Sequence, residues 1–355
     1  MPVARRVLAN VPVYMIFDDH DVTDDWNLSK DWEERAYQHP FSRRIIPNAL
    51  IGYLIFQGWG NAPSRFSSEL INHVKKTCKD EDSIIHDELI NTLLGFNGWN
   101  YVLNTEPPVV VMDTRTRRWP STFSARYPSG LLNQEGLDEL EDYLHGKQSI
   151  LLISSAPIFS VKLIEVIQRV FTWCGLALLV DAENWMSHKQ TAHRMLGIFQ
   201  HQKTAQNITI LSGDVHYSFA YDVRLRRSWR IFFSSQSKDK SVSSDELTSP
   251  NVWQITSSGI KNEFPDKLIK IFDRLNRIFF AGYSPLNMFT QRRRMRIRSR
   301  RPGEHMKRYR HQRLVNSSNI GVLRINADGQ PEHIAVRSTS GEHIVFMDGY
   351  QSDWH

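Results

Sequence analysis

Asp18-Asp19-His20-Asp21 places three carboxylates and an imidazole directly after the apolar run 11–17. Charge gathered at the end of a buried segment is costly unless a cation or a basic partner balances it. Hard metal ions favour carboxylate oxygens, and a His beside such ligands either binds the ion or donates to a phosphoryl oxygen. A solvated acidic turn capping a helix would explain the same four residues. Gly213-Asp214-Val215-His216 follows a second apolar run, 207–212, with Asp214 and His216 spaced to face one side. Alone it is equally a surface turn with a satisfied His. Two Asp/His clusters, each after a buried run, are the two-sided supply of ligands a two-metal hydrolase needs. Asp113-Thr114-Arg115 ends a third run, 108–112. The Arg115 fork matches phosphate oxygens, with Asp113 beside it, but Arg115 could instead pair with Asp113 or Asp18.

The elements that must position these residues read as α/β. Runs 11–17, 108–112, 149–154 and 207–212 are nearly continuous apolar stretches bounded by polar residues, the pattern of buried strands. They end in Asp-Asp-His-Asp, Asp-Thr-Arg, Ser-Ser-Ala-Pro and Gly-Asp-Val-His. Ligand clefts of open α/β sheets lie at strand C-terminal ends, so the four endings are expected to converge. Between the first two runs, 24–100 reads as a helical insertion with amphipathic segments at 47–58, 64–77 and 80–96. Further helices are expected at 134–145, 159–175 and 187–200, the last with Ser187 and Gln190 as a capping box. After His216 the texture changes to closely spaced strands at 217–224, 229–234, 252–257, 320–325, 333–337 and 343–347. These are expected to form a second, mostly antiparallel sheet, interrupted by a helix at 265–280 and a basic loop at 285–310. The chain is taken as a single domain over 1–355.

Bulk properties exclude several classes. Ten Trp in 355 residues indicate a packed globular protein, since each buries a large apolar surface. The net charge of +6 is concentrated in one stretch, where seven Arg fall between Gln291 and Arg301. The residues from Arg292 to Arg301 could draw in polyanions or nucleic acid, but Met295 and Ile297 interleave them rather than aromatic rings, which does not favour base stacking. A solvated arm or phosphate-attracting rim is the default. Cys78 and Cys174 form no CxxC pair, which argues against a disulfide framework or thiolate metal site and fits a reducing, cytoplasmic setting. No apolar run approaches a membrane span, and no dinucleotide, Walker A or Gly-x-Ser-x-Gly motif occurs. Trp59 and Asn184-Trp185 are read as core or cleft-wall packing.

The block 11–26, centred on Asp18-Asp19-His20-Asp21, resembles the Asp-Asp-His-Asp/Glu block of PhoD-like (alkaline phosphatase D) metallophosphatases. Similar blocks follow in that family's order: Phe56 to Asn61, Val111 to Arg115, Ser154 to Pro157, Glu183-Asn184-Trp185 with Arg194 downstream, Ser212 to His216, and Thr256 to Asn262. The resemblance implies a calcineurin-like two-sheet sandwich with outer helices and two metal ions, of which Ca, Fe, Mn and Zn are the candidates. It implies Asp18, Asp19, Asp214 and His216 as ligands and His20 as the group near the leaving oxygen. It also implies two earlier motifs and their strands before residue 1, which residues 1–10 do not match. Hydrolysis of phosphate esters is therefore expected. The alternative is a truncated, non-catalytic remnant that binds phosphate, a polyanion or a protein partner.

Overall fold

The structure is a computed structural model describing residues 2–80, 82–173, 183–225, 249–261, 263–281, 284–290, 294–303, 309 and 311–348. Helix α1 (Pro2–Leu8) leads into 11–17, which is not the expected buried strand. The segment belongs to no sheet, and of its side chains only Phe17 is buried. Side chains take the place of a ladder partner. Asn61 Oδ1 accepts from the Met15 N–H (3.2 Å), while Asn61 Nδ2, Tyr53 Oη and Tyr101 Oη all donate to the Met15 carbonyl at 2.6–2.9 Å. The residues capable of holding an extended chain are thus supplied by helices and a sheet edge rather than by another strand.

The helical insertion is present as α2 (Lys30–Gln38), α3 (Pro40–Tyr53), the short α4 (Trp59–Asn61), α5 (Ser68–Lys79) and α6 (Ser83–Leu94). Helix α3 begins earlier than expected because Pro40 takes the first-turn position that suits proline, and Pro47 is carried inside the helix with Ile46 and Leu50 buried beside it. It runs through a π-helical turn, Leu54–Gly58, into α4. Ser29, Ser67 and Asp82 cap α2, α5 and α6 with side-chain acceptors. These helices share a core with Phe17, Trp26 and Trp99, whose rings meet edge to face. The DDHD turn is thereby fastened to the insertion.

The main sheet has seven strands in the order β1-β2-β3-β4-β6-β5-β7: β1 (Tyr101–Leu103), β2 (Val109–Val111), β3 (Ser149–Ser154), β4 (Asn207–Ser212), β5 (Phe219–Leu225), β6 (Asn251–Thr256) and β7 (Met295–Ser299). Strands β2, β3, β4 and β6 are parallel, and β1 and β5 run against them. Helices α7 (Gln134–Leu144), α8 (Lys162–Trp173), α9 (Lys189–Phe199) and α10 (Asp266–Phe279) are amphipathic, and α7, α9 and α10 bury Leu137, Leu140, Met195, Phe199 and Ile269 in one core with Ile150, Leu152, Ile208 and Ile210. The start of α9 is capped by His188, which accepts from the Thr191 N–H (3.3 Å), and Ser187 instead donates to the Asn184 carbonyl.

The second sheet is smaller than expected. It contains β8 (Arg301–Pro302), β9 (Asn319–Ile325), β10 (Pro331–Ser338) and β11 (His343–Met347), all antiparallel, in the order β8-β11-β10-β9. Strands β5 and β6 join the first sheet because β6 lies parallel against β4 and hydrogen-bonds β5 on its other side. Ala220, Ile255 and Leu211 of the main sheet meet Ile334, Val336, Ile344 and Phe346 of the second, so the two sheets share a core.

Within the expected basic loop 285–310, Met295–Ser299 and Arg301–Pro302 are strand and Pro285–Phe289 is a 3-10 turn. Met295 and Ile297 are buried within β7, and the Arg298 and Arg300 guanidiniums pair with Asp222 at 2.7 and 2.9 Å. Two arginines assigned to a solvated rim are therefore engaged by a carboxylate. Arg292, Arg293, Asn262, Cys174 and the strand expected at 229–234 lie outside the described residues. Trp185 is fully buried with its indole N–H on Ser154 Oγ, whereas Trp59 is half-exposed. No helix among the described residues is long and apolar enough to cross a membrane.

Candidate metal centre

The four polar endings do converge. Gly213 N–H donates to the Ser155 carbonyl (3.0 Å), and Thr114 and Ser155 hydroxyls share a hydrogen bond of 2.5 Å. These contacts bind the turns after β2, β3 and β4 into one surface. The turn after β4 places its left-handed residue at Asp214 (φ 67°) rather than at Gly213. Asp tolerates that conformation better than most residues, and its occurrence beside other carboxylates marks a constrained site.

The DDHD turn is held by backbone contacts on each side. Asp21 accepts from the Asp18 N–H (2.8 Å), and Asp19 Oδ2 accepts from the N–H of Asp25, itself left-handed at φ 58°. Asn27, also left-handed, donates to the Arg115 carbonyl (3.0 Å) while accepting from the Tyr37 hydroxyl (3.0 Å). Asp113 is wholly buried and accepts from the N–H groups of Arg115 and Thr116 (both 2.9 Å) and from the Thr116 hydroxyl. Burial pushes its carboxyl above the usual range, partly offset by those bonds to Thr116 and Arg115. Asp113 thus shapes the turn that aims Arg115, its carboxylate wholly buried against that turn.

Arg115 is the centre of the site. Its side chain is fully buried, with Nε donating to Asp18 Oδ1 (2.7 Å) and Nη2 also on Asp18, 3.2 Å from Asp19 and 3.8 Å from Asp214. Its Nη1 pairs with Glu183, whose other oxygen pairs with Arg118, and Arg118 also donates to the Trp26 carbonyl (3.2 Å). Four carboxylates therefore face two guanidiniums, a formal excess of two negative charges with all four ionised and of one where Asp18 and Asp214 share a proton. Burial would raise the Asp18 carboxyl, but Arg115 and a hydrogen bond from Asp214 hold it below the usual range. A carboxyl pair in hydrogen-bond contact requires a shared proton or an intervening cation. Burial and the neighbouring Arg115 charge bring the Arg118 guanidinium down to about 9.

The residues fit a cation. Carboxylate oxygens of Asp18, Asp19 and Asp214 all lie within 4.8 Å of one another, as do ligand atoms of Asp19, His20 and Asp24. Asp19 belongs to both groups, is 1% exposed, and its Oδ1 makes no hydrogen bond. The first group is partly buried, with Asp19 buried and Asp18 and Asp214 intermediate. The second sits at the surface, with His20 half-exposed and 3.6 Å from Asp24. His216 joins neither group and lines an adjacent cavity with Asp214.

Of the residues singled out in the sequence, Asp18, Asp19, Asp214 and Arg115 are brought together, His20 stands at the rim, His216 lines the cavity beside Asp214, and Asp113 is buried in its own turn. Glu183 and Arg118 complete the cluster. Glu183 lies beside Asn184 and Trp185 and Arg118 in the Arg-rich turn after β2, yet nothing local to either announces that they would pair. Arg194, downstream of that block, ties α9 to α7 through Asp138 (2.7 Å) and Glu141 (2.5 Å). Comparison with protein-family models, with curated proteins and with solved structures finds no match to this chain.

Proposed function

We propose that this protein hydrolyses phosphate esters with the help of metal ions held by Asp18, Asp19 and Asp214. The observation that carries it is the group of carboxylates on Asp18, Asp19 and Asp214, whose oxygens lie within 4.8 Å of one another with an excess of negative charge, Asp214 standing at the end of parallel strand β4. The PhoD-like resemblance of the same residues, and two sheets sharing a core as in a metallophosphatase sandwich, support the same reading. Asp19, common to both groups, would hold an ion together with Asp18 and Asp214, and Asp24 stands beside it toward the surface. When bound, such ions polarise phosphoryl oxygens and lower the pKa of a water nucleophile. The chain's own contributions are distinct. Arg115 fixes the spacing of the carboxylates, Glu183 and Arg118 anchor Arg115, and His20 at the rim is placed to meet a leaving-group oxygen.

A second reading, a non-catalytic remnant, is favoured by one observation. The Arg115 guanidinium already fills the middle of the carboxylate cluster, as in a structural ion-pair network. Hydrolysis of 4-nitrophenyl phosphate and of bis(4-nitrophenyl) phosphate, with Mn, Ca, Fe or Zn supplied or removed by chelator, separates the two. Metal-dependent turnover lost in Asp19→Asn supports the enzyme. Absence of turnover with every metal supports the remnant.

A further inference from the structure

Helix α10 turns one apolar row to solvent as well as another to the core. At about 100° per residue its positions divide into three arcs. Ile269 and Asp273 point inward and are buried, and beside them Asn276 Oδ1 accepts the Leu163 N–H of α8 (3.0 Å). Lys267, Lys270 and Arg274 form the second arc, all exposed. None of the three makes an ion pair with a described residue, whereas Arg277 beside them is taken by Asp273 (3.6 Å). Leu268, Ile271, Ile278 and Phe279 form the third arc, each 39–54% exposed. The turn Pro285–Phe289 is fastened to the C-terminal end of α10 by Asn287 Nδ2, which donates to the Ala281 carbonyl (2.6 Å), and it adds exposed Leu286 and Met288. Of the two carboxylates in α10, Asp273 is buried and Asp266 accepts from Asn316 (2.6 Å), so both are engaged away from the row of cations.

We infer that this face of α10 docks on the surface of a bilayer carrying anionic lipid, the apolar row entering the edge of the acyl layer and the cations meeting the headgroup phosphates. An exposed apolar row flanked by Lys and Arg, with no carboxylate in it, is the arrangement of an interfacial helix. At 1.5 Å per residue the helix is about 21 Å long, so it lies in the plane of the surface. The cations choose among possible occupants. A second copy docked through the same row would bring three more cations and no carboxylate of that row to meet them. Ile271, Ile278 and Phe279 stand out from the helix, a shape that enters a fluid layer rather than one that receives a partner's anchoring side chain. The inference is independent of the phosphoesterase reading.

The test is co-sedimentation of the full chain with vesicles of phosphatidylcholine, alone or with about one third phosphatidylserine, at about 0.1 M salt. The chain should bind the anionic vesicles about tenfold or more tighter than the neutral ones. Lys267→Gln, Lys270→Gln and Arg274→Gln together should weaken anionic binding by about fivefold per charge, the equivalent of about 1 kcal/mol each, and leave neutral vesicles unaffected. Ile271→Ser with Ile278→Ser should weaken binding to both by about tenfold or more, because each side chain is half-exposed and has that area left to bury. Both sets lie on exposed arcs, so circular dichroism should show an unchanged fold. Ile84→Ser, 67% exposed on α6, is the control and should change nothing. Equal binding to the two vesicles, binding to neither, or binding unaltered in both sets of variants overturns the inference. So does a dimer, seen by light scattering, that Ile271→Ser with Ile278→Ser converts to a monomer, since a second copy is then the occupant.

Discussion

Replacing Arg115 by Met is the sharpest perturbation of the site, because it removes the cation around which four carboxylates are arranged. The side chain is fully buried, so solvent cannot take over its role. With only Arg118 left, the formal excess rises from two negative charges to three. Removing one partner of a buried ion network costs about 3–5 kcal/mol. At roughly 2 °C per kcal/mol for a large domain, the midpoint of thermal unfolding should fall by about 6–10 °C in chelator. If the carboxylates then take a metal ion in place of the guanidinium, a divalent cation at about a hundred times its dissociation constant returns about 2.7 kcal/mol. The midpoint would recover by roughly 5 °C. Arg44→Met serves as control. Arg44 pairs with Asp87 at the surface and should cost about 1 kcal/mol or less, with no response to cations. The assay is thermal unfolding followed by circular dichroism, with chelator and with Mn, Ca or Zn. A loss below about 2 °C would show that the carboxylates do not depend on Arg115. A full loss with no cation response would show that the cluster is a closed ion-pair network.

Two further outcomes follow from individual residues. His20 stands at the rim, half-exposed, so His20→Gln should slow phosphate-ester turnover by about 10²-fold or more while metal content falls much less, which parallel kinetics and elemental analysis would reveal. Asp273 of α10 is buried, which raises its carboxyl to about 6 despite the nearby Arg277 and Arg313. Its folded pKa exceeds the unfolded value, so the native state holds the proton more tightly and stability declines as pH rises from about 4 to 6. Denaturant unfolding should show a loss approaching roughly 3 kcal/mol across that window, absent in Asp273→Asn. Equal slopes in both proteins would refute the assignment.

The central strands were legible because parallel strands covered on both faces read as unbroken apolar runs, and 149–154 and 207–212 coincide with β3 and β4. Convergence of their polar endings followed from the same topology. The segment 11–17 misled because an apolar run carries no record of its hydrogen-bond partners. Its tethers come from Tyr53, Asn61 and Tyr101, 38 to 86 residues away. The β7 alternation of buried Met295 and Ile297 with exposed Arg296 was present in the sequence but was outweighed by the density of charge. Placement of β6 beside β4 needed knowledge of pairing order, which no local pattern encodes. Asp214 was recoverable because residue type and position at the end of β4 agree, and Asp18 and Asp19 because acidic residues gathered after an apolar run need a balancing charge, although that run is not a strand. Glu183 and Arg118 were not assigned, since their role exists only once they meet.

The most direct test is elemental analysis by mass spectrometry of the purified chain beside Asp19→Asn and Asp214→Asn, after exchange into metal-containing and then metal-free buffer. Retention of near-stoichiometric metal by the unaltered chain, and its loss in both variants, is the predicted result. Metal that is absent from the unaltered chain, or retained equally by both variants, would contradict the assignment of these carboxylates as a metal centre.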